Sequence, residues 1–253
     1  MAKIVVFDSG FGSLSVIKAI QKKVTADIIY FADQKNFPYG TKSVPHLRKI
    51  IELTITILEK KFNPDLIVIG SNTPSLLLKK ITKKSKIIGV FPPLKEATKN
   101  TKSGTIAILA TKSVVESIAL ENYIKKHVPK KIKAIKINAS PLVELVESGK
   151  FIDNKKLCKK KIKTILLTPL VSNHVDVATL SSTHLPFLLP MLRQIFPHIT
   201  FLDPRNVVAN QVRKFLGKKS SKTNSLKIFT SSDVSSFQKQ LFKLGIKNKV
   251  RSL

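Results

Sequence analysis

The sequence predicts an α/β protein with two pseudo-symmetric domains, each containing a mostly parallel sheet flanked by helices. Short β-type runs alternate with amphipathic helical stretches, which is the pattern of βαβ units. A chain of 253 residues is long enough for two small domains. Similar strand–turn pairs also recur: VVF before Asp8 resembles IAIL before Thr111, and LIVIG before Ser71 resembles VATLS before Ser182, with offsets of 103 and 111 residues.

The predicted strands are short apolar runs bounded by turn-forming or charged residues. They lie at Lys3–Phe7, Asp27–Phe31, Leu66–Ile69, Ile87–Val90, Thr105–Leu109, Ile132–Ile137, Val177–Leu180, Ile199–Leu202 and Leu226–Phe229. Among the predicted helices, Ser13–Lys23 carries a regular apolar face, a long one runs from Ser43 to Lys61, and a third begins near Pro74, since proline suits a first turn. We expect a first domain of residues 1–95 plus 205–253 and a second of residues 96–204.

Composition excludes several classes of protein. The hydrophobic fraction of 43% supports a packed core, and no run approaches the roughly 18 apolar residues of a membrane span. The first residues do not resemble a signal peptide, so we expect a soluble cytoplasmic protein. Cys158 is the single cysteine, which excludes an internal disulfide and a multi-thiolate zinc site. Lysines at 159–161 are expected to lower the pKa of Cys158, although a bystander thiol is the favoured interpretation.

The net charge of +30 is unusual and raises the question of a nucleic-acid partner. Only five of the 45 basic residues are arginine, the residue that nucleic-acid readers use for bidentate and stacking contacts. We therefore expect a solvated, lysine-rich surface with only weak, nonspecific attraction to polyanions.

Polar residues follow several predicted strands, at the edge where open parallel sheets bind ligands. The segment DSGFGS from Asp8 lacks the features of a Walker or dinucleotide-binding loop. Asp8 either caps the next helix or orients an ammonium group or proton-transfer partner. His184 follows a strand, where an imidazole can serve as an acid or base. No His, Cys or carboxylate cluster has metal-ligand spacing, and no G-x-S-x-G motif is present.

The chain resembles the glutamate racemase family of the aspartate/glutamate racemase superfamily. The similar stretches follow the family order from end to end: VVFDSGFGSLSV, IIYFADQKNFPYGTKS, LIVIGSNTPS, SPLVELVESG, ATLSSTHLPFL, FLDP and IFTSSDVSSFQKQLFKLGI. The resemblance implies two α/β domains with an active-site cleft between them and no pyridoxal phosphate, metal or other cofactor. It also implies that two cysteines act as base and acid on opposite faces of the substrate Cα.

Both cysteine positions of the family pattern hold serine here, Ser71 and Ser182. A hydroxyl is several pKa units more basic than a thiol, and each unit adds ~1.4 kcal/mol to forming the anion. Ser71 therefore needs a base such as Asp8, and Ser182 needs His184. Glu147 matches a family acid near the second cysteine, and a surface helix carboxylate is the alternative interpretation.

The resemblance also implies a set of substrate contacts for carboxylates and an ammonium group. These fall on Ser9, Pro38, Tyr39, Gly40, Asn72, Thr73, Thr111 and Thr183. Hydroxyls and backbone N–H groups at helix N-termini suit a dicarboxylate. Four further positions differ from the family pattern: Gly70 stands for Ala, Ser181 for Gly, Leu185 for Tyr and Val114 for Thr. These changes around the serines favour natural drift of the whole site over engineered replacement of the two cysteines.

We therefore expect a cofactor-independent racemase that interconverts L- and D-glutamate, or a related acidic amino acid such as aspartate. In bacteria the family's product enters the cell wall, and a homodimer is possible. The alternative is a catalytically impaired family member that acts as an acidic amino-acid binding protein or as a regulatory protein. A lesser alternative is a hydrolase or lyase with a serine nucleophile and His184 as base. Hydrogen-bonded pairs Asp8–Ser71 and His184–Ser182 would favour proton transfer, whereas diverging side chains would favour the binding alternative.

Overall fold

The protein is described here by a computed structural model that covers residues 2–78, 81, 85–217 and 223–253. The described residues form two compact units. The first unit is Met1–Val90 with Arg205–Leu253, and the second is Phe91–Pro204. Each unit has one sheet in which all neighbouring strands are parallel, with helices along it, so the predicted α/β class is confirmed.

The secondary structure of the described residues follows the predicted alternation. The strands are β1 (Lys3–Asp8), β2 (Asp27–Ala32), β3 (Leu66–Ile69), β4 (Lys86–Gly89), β5 (Thr105–Ala110), β6 (Lys133–Asn138), β7 (Val177–Ser181), β8 (Thr200–Leu202), β9 (Ser225–Thr230) and β10 (Val250–Ser252). The helices are α1 (Gly12–Gln21), α2 (Val44–Phe62), α3 (Asn72–Leu77), α4 (Leu94–Asn100), α5 (Lys112–Val115), α6 (Ile118–His127), α7 (Ser140–Glu147), α8 (Lys150–Asp153), α9 (Lys155–Val171), α10 (Leu189–Ile195), α11 (Arg205–Leu216) and α12 (Val234–Lys243). Short 3-10 turns lie at Gln34–Asn36, Tyr39–Thr41 and Leu185–Leu188.

The two sheets repeat one strand order. The first runs β10-β9-β2-β1-β3-β4 and the second runs β6-β5-β7-β8. The segment β2-β1-β3-β4 of the first sheet therefore corresponds to the whole of the second, with β1 matching β5 and β3 matching β7. These are the strands whose turns look alike in the sequence, so the internal similarity has a counterpart in the topology.

The central strands are apolar along their whole length because they are covered on both faces, as in other parallel sheets. In β1, the residues from Ile4 to Phe7 are fully buried. The helices that cover them carry clear end signals. Ser43 caps α2 by accepting a hydrogen bond from the amide of His46, and Asn63 ends the helix in a left-handed conformation with φ 44°.

Cys158 is a core residue, which corrects the expected effect of its lysine neighbours. Its side chain lies on the face of α9 that packs into the second unit together with Ile162, Leu166 and Leu170. Burial raises the pKa of the Cys158 thiol, and the opposing influence of Lys150 is smaller. The predicted lowering of that pKa is therefore wrong, while the bystander interpretation agrees with the packing.

Two further differences concern element boundaries. Helix α3 begins at Asn72 rather than near Pro74, because Ser71 is extended at the N-cap position and Pro74 falls within the first turn. Strand β10 was not predicted, since Val250–Ser252 is short and contains a single apolar residue.

Among the described residues, no helix combines the length and the apolar character needed to cross a bilayer.

Candidate active site

In the first unit, the turn after β1 is tightly hydrogen-bonded around Asp8. Asp8 is 1% exposed, and its Oδ1 accepts a hydrogen bond from the amide of Ser9 at 2.7 Å. The hydroxyl of Tyr30 donates to the carbonyl of Gly10 at 2.6 Å and holds the same turn. The N-cap position of α1 is occupied by Phe11, so the interpretation of Asp8 as its N-cap residue is wrong.

The turn after β3 presents the polar side chains of Ser71 and Asn72, which lack hydrogen-bond partners among the described residues. Ser71 is partly buried, and among the described residues its Oγ makes no hydrogen bond. Asn72 is 3% exposed, and neither its Nδ2 nor its Oδ1 has a partner in the described part of the chain. A buried amide without hydrogen bonds costs about 1–3 kcal/mol for each unmet group. The arrangement at this sheet edge is that of a site built for a polar ligand.

Gly70 is required by the close approach of α1. A Cβ atom added at residue 70 would lie 1.9 Å from Ser13 Oγ and 3.0 Å from Ser13 Cβ. Ser13 Oγ itself donates to the carbonyl of Gly70 at 3.4 Å. The glycine that departs from the family's alanine thus makes room for the Ser13 side chain, directly before Ser71.

The predicted contacts Pro38, Tyr39 and Gly40 form one loop, called here the 38–40 loop, in which Tyr39 is buried and Pro38 exposed. Tyr39 Oη donates to Asp33 Oδ2 at 2.9 Å. Burial, together with the negative charges of Asp33 and Asp8, raises the pKa of Tyr39 well above its usual value. The hydroxyl of Tyr39 therefore stays protonated and is committed to Asp33.

In the second unit, the turn after β7 contains a buried His–Glu pair. Nε2 of His184 lies 2.9 Å from Oε2 of Glu147, which is the last residue of α7. His184 is only 6% exposed and the Glu147 side chain only 13%, so the surface-carboxylate interpretation of Glu147 is wrong. Ser182 Oγ accepts a long hydrogen bond, 3.5 Å, from the backbone amide of His184. The imidazole Nε2 thus faces Glu147 rather than Ser182.

The residues that depart from the family pattern in this unit are accommodated by local packing. The hydroxyls of Ser181 and Thr179 hydrogen-bond to each other at 2.8 Å, and both residues are buried. Leu185 is buried in the apolar core of this unit, and Val114 is buried as well. The hydroxyl of Thr111, which follows β5, lies 3.3 Å from that of Ser113.

Each unit therefore carries its own share of the predicted site residues, most of them directly after its strands. The first unit carries Asp8, Ser9, Pro38, Tyr39, Gly40, Ser71, Asn72 and Thr73, and the second carries Thr111, Glu147, Ser182, Thr183 and His184. Ser71 Oγ is not hydrogen-bonded to Asp8, and Ser182 Oγ is not hydrogen-bonded to the His184 ring, within the described ranges. Their roles stay predictions.

Sequence reasoning missed Asp33. This residue follows β2 directly and is 3% exposed, and Asp8 stands at the corresponding end of β1. The same rule that singled out Asp8, a carboxylate directly after a buried parallel strand, would have found it.

Several known proteins are similar to this chain. A glutamate racemase from Buchnera aphidicola subsp. Schizaphis graminum is 32% identical over 237 residues, which is 87% of this chain and 88% of that protein. No protein-family model matches the sequence. The crystal structure of glutamate racemase isoform RacE1 from Bacillus anthracis matches with a TM-score of 0.86 and 25% identity, covering 100% of this chain and 97% of that one. The Escherichia coli glutamate racemase, solved with L-glutamate and the activator UDP-MurNAc-ala, has the same fold, with a TM-score of 0.83, 24% identity and coverage of 100% and 98%.

Proposed function

This chain belongs to the glutamate racemase family, and on that premise we propose that it interconverts L- and D-glutamate by proton transfer at Cα. As a family member it is an amino-acid racemase, an isomerase. The relatives are named glutamate racemases, which does not favour the alternative of a binding or regulatory protein. The residues assigned to proton transfer and substrate contact are part of the proposal.

Ser71 and Ser182 are the proposed proton-transfer groups. Racemisation requires one group that removes the Cα proton and another that returns a proton to the opposite face. The observation that carries the proposal is the equivalent position of the two serines. Ser71 comes directly after the turn residue that ends β3, and Ser182 directly after β7, and these strands occupy the same place in sheets of the same order.

Asp8 and the His184–Glu147 pair are the proposed helpers. Glu147 Oε2, held 2.9 Å from Nε2, fixes the orientation of the His184 ring. The His184 ring is assigned to exchange a proton with Ser182. Asp8 is a buried carboxylate at the end of β1, the strand that pairs with β3, and it is assigned to assist Ser71.

The proposed substrate contacts are supported best at Asn72. Its buried amide offers both a donor and an acceptor, which suits an ammonium group and a carboxylate of the same amino acid. The other proposed contacts are Ser9, Thr73, Thr111, Thr183 and the 38–40 loop. For Tyr39, the contribution falls to its main chain, because its hydroxyl is bonded to Asp33.

The experiment that tests the function is net conversion of one enantiomer into the other. Purified protein is incubated with L-glutamate, D-glutamate and both aspartates, and the products are separated by chiral chromatography. We expect conversion of glutamate in both directions. The double variant Ser71→Ala/Ser182→Ala, purified identically, measures contaminating racemase. Conversion that is equal in the wild type and this variant would overturn the proposal.

Further properties remain predictions. These are a cytoplasmic location, a homodimer, a contribution to a cell-wall precursor and nonspecific attraction to polyanions from the charge of +30.

A further inference from the structure

The buried carboxylate of Asp33 joins three segments of the first unit. Its Oδ2 accepts a hydrogen bond from Tyr39 Oη at 2.9 Å, and its Oδ1 accepts one from Ser231 Oγ at 3.1 Å. The side-chain amide of Asn36 donates to both oxygens, at 3.0 and 2.9 Å. One side chain thus holds the turn at Gln34–Asn36, the 38–40 loop and the residue that follows β9.

The main chain around Asp33 is fixed as well. Its amide donates to the carbonyl of Asp8 at 2.7 Å, and the amide of Ser231 donates to the carbonyl of Ala32 at 3.1 Å. Ser231 Oγ also accepts a hydrogen bond from the amide of Lys35 at 3.0 Å. Asp33 is therefore anchored to the ends of β1 and β9 while its carboxylate reaches the loop.

Such a network costs free energy that an apolar contact stabilising the same loop would not. Taking a carboxylate out of water carries a large desolvation cost, and each donor that compensates for it at Asp33 is a neutral group. Buried polar groups of this kind can often be replaced by apolar ones of similar volume without loss of stability. What such groups provide is precise positioning, because hydrogen bonds to a carboxylate are short and directional.

We propose that Asp33 is a positioning residue for the substrate, which through Tyr39 fixes the main chain of the 38–40 loop and through Ser231 ties that loop to the end of β9. Asp33 itself does not touch the substrate. The inference rests on the proposed function, since it takes the 38–40 loop as part of the glutamate site.

The molecule offers a matched control at the opposite edge of the same sheet. Asp27 Oδ1 accepts a hydrogen bond from Ser225 Oγ at 2.7 Å, and these residues begin β2 and β9. Asp33 and Ser231 follow the other ends of the same two strands. The two Asp–Ser pairs therefore share their chemistry and their strands, but only one pair reaches the loop.

The first test separates KM from kcat for glutamate. We expect Asp33→Asn and Ser231→Ala to raise KM by about tenfold, the effect of losing one charge-assisted hydrogen bond, and to change kcat by less than about threefold. Asp27→Asn and Ser225→Ala should leave both constants unchanged. An unchanged KM in the first two variants, or an equal rise in the controls, would overturn the inference. Ser231→Ala keeps the test decisive if Asp33→Asn does not fold.

A double-mutant cycle distinguishes positioning from direct contact. If the Tyr39 hydroxyl acts only through Asp33, then Tyr39→Phe should add little to the defect of Asp33→Asn, and the double variant should resemble the worse single variant. Additive increases in KM would mean that the hydroxyl meets the substrate independently, which contradicts the inference.

A substrate-free measurement separates this inference from the proposed function. Hydrogen exchange of the backbone amides of residues 39–42 should be about tenfold or more faster in Asp33→Asn than in the wild type, and unchanged in Asp27→Asn. If the wild type neither converts nor binds glutamate, the proposed function fails, and exchange alone decides whether Asp33 holds the loop. Equal exchange in all three proteins would show that it does not.

Discussion

Ser71 and Ser182 set the energetic problem of this site, because a hydroxyl holds its proton more tightly than a thiol. With ~1.4 kcal/mol for each pKa unit, forming an alkoxide rather than a thiolate adds several kcal/mol to each proton transfer. The structure supplies a buried carboxylate, Asp8, in one unit and the His184–Glu147 pair in the other. In the proposed mechanism, concerted proton transfer to these groups avoids a free alkoxide, as in enzymes where a base activates serine.

Restoring the thiols should therefore accelerate the reaction. We expect the double variant Ser71→Cys/Ser182→Cys to raise kcat for glutamate by on the order of 100-fold, because the thiol pKa of ~8.5 is closer to neutrality. Racemisation assays at one pH, on matched preparations, measure the change. Ser75→Cys is the control, since the Ser75 hydroxyl donates to the carbonyl of Ser71 at 2.6 Å and has a structural role. A slower double variant would mean that the serines do not stand in for thiols.

Gly70 and Ser13 form a packed pair whose substitutions should not be additive. Gly70→Ala places a Cβ 1.9 Å from Ser13 Oγ, so we expect it to lower the free energy of unfolding by about 1–3 kcal/mol. Adding Ser13→Gly removes both clashing atoms and should recover part of that loss. Urea unfolding of the wild type, the two single variants and the double variant measures whether the changes in free energy of unfolding are additive. Equal losses with and without Ser13→Gly would refute the packing account.

At the scale of elements, Asp176 fastens the turn before β5 to the start of β7. Its carboxylate accepts hydrogen bonds from the hydroxyls of Thr101 and Ser103, at 2.6 and 3.0 Å, and from the amides of Lys102 and Ser103, at 2.6 and 2.9 Å. Burial raises the pKa of Asp176, but these hydrogen bonds together outweigh it, and the pKa lies below its usual value.

Asp176 should therefore stabilise the fold in a pH-dependent way. A lowered folded-state pKa gives stability that is complete above the unfolded value, about 3.9, and that is lost as the pH falls through the folded value. We expect Asp176→Asn to cost about 1–3 kcal/mol at pH 7 and progressively less below about pH 4. Urea unfolding of both proteins across this range measures the difference. Glu116→Gln, at an exposed ion pair with Lys112, should cost almost nothing at any pH.

The elements with a strong local pattern were predictable from the sequence. Strand β3 was predicted with its observed bounds, because LIVI is a continuous apolar run between polar residues. Strand β10 was not predictable, since Val250–Ser252 pairs with β9 through main-chain hydrogen bonds that leave no apolar pattern. The site residues came from strand ends and the family resemblance. The Glu147–His184 contact and the Asp33 network depend on tertiary packing between distant segments, which no local pattern encodes.

At the scale of the whole molecule, the repeated strand order matches the chemistry of racemisation. The segment β2-β1-β3-β4 of the first sheet and the second sheet, β6-β5-β7-β8, each present one serine after corresponding strands, Ser71 after β3 and Ser182 after β7. A reaction that removes a proton from one face of Cα and returns it to the other needs two such groups. In the proposed mechanism, Ser71 and Ser182 are these two groups.

Enantiomer-specific exchange of the Cα proton tests this account most directly. Wild type, Ser71→Ala and Ser182→Ala are incubated with L- or D-glutamate in D₂O, and loss of the α-proton signal is followed by NMR. We predict exchange from both enantiomers in the wild type, and from only one enantiomer, a different one, in each variant. No exchange in the wild type, or exchange from both enantiomers in both variants, would contradict the assignment of one proton-transfer serine to each unit.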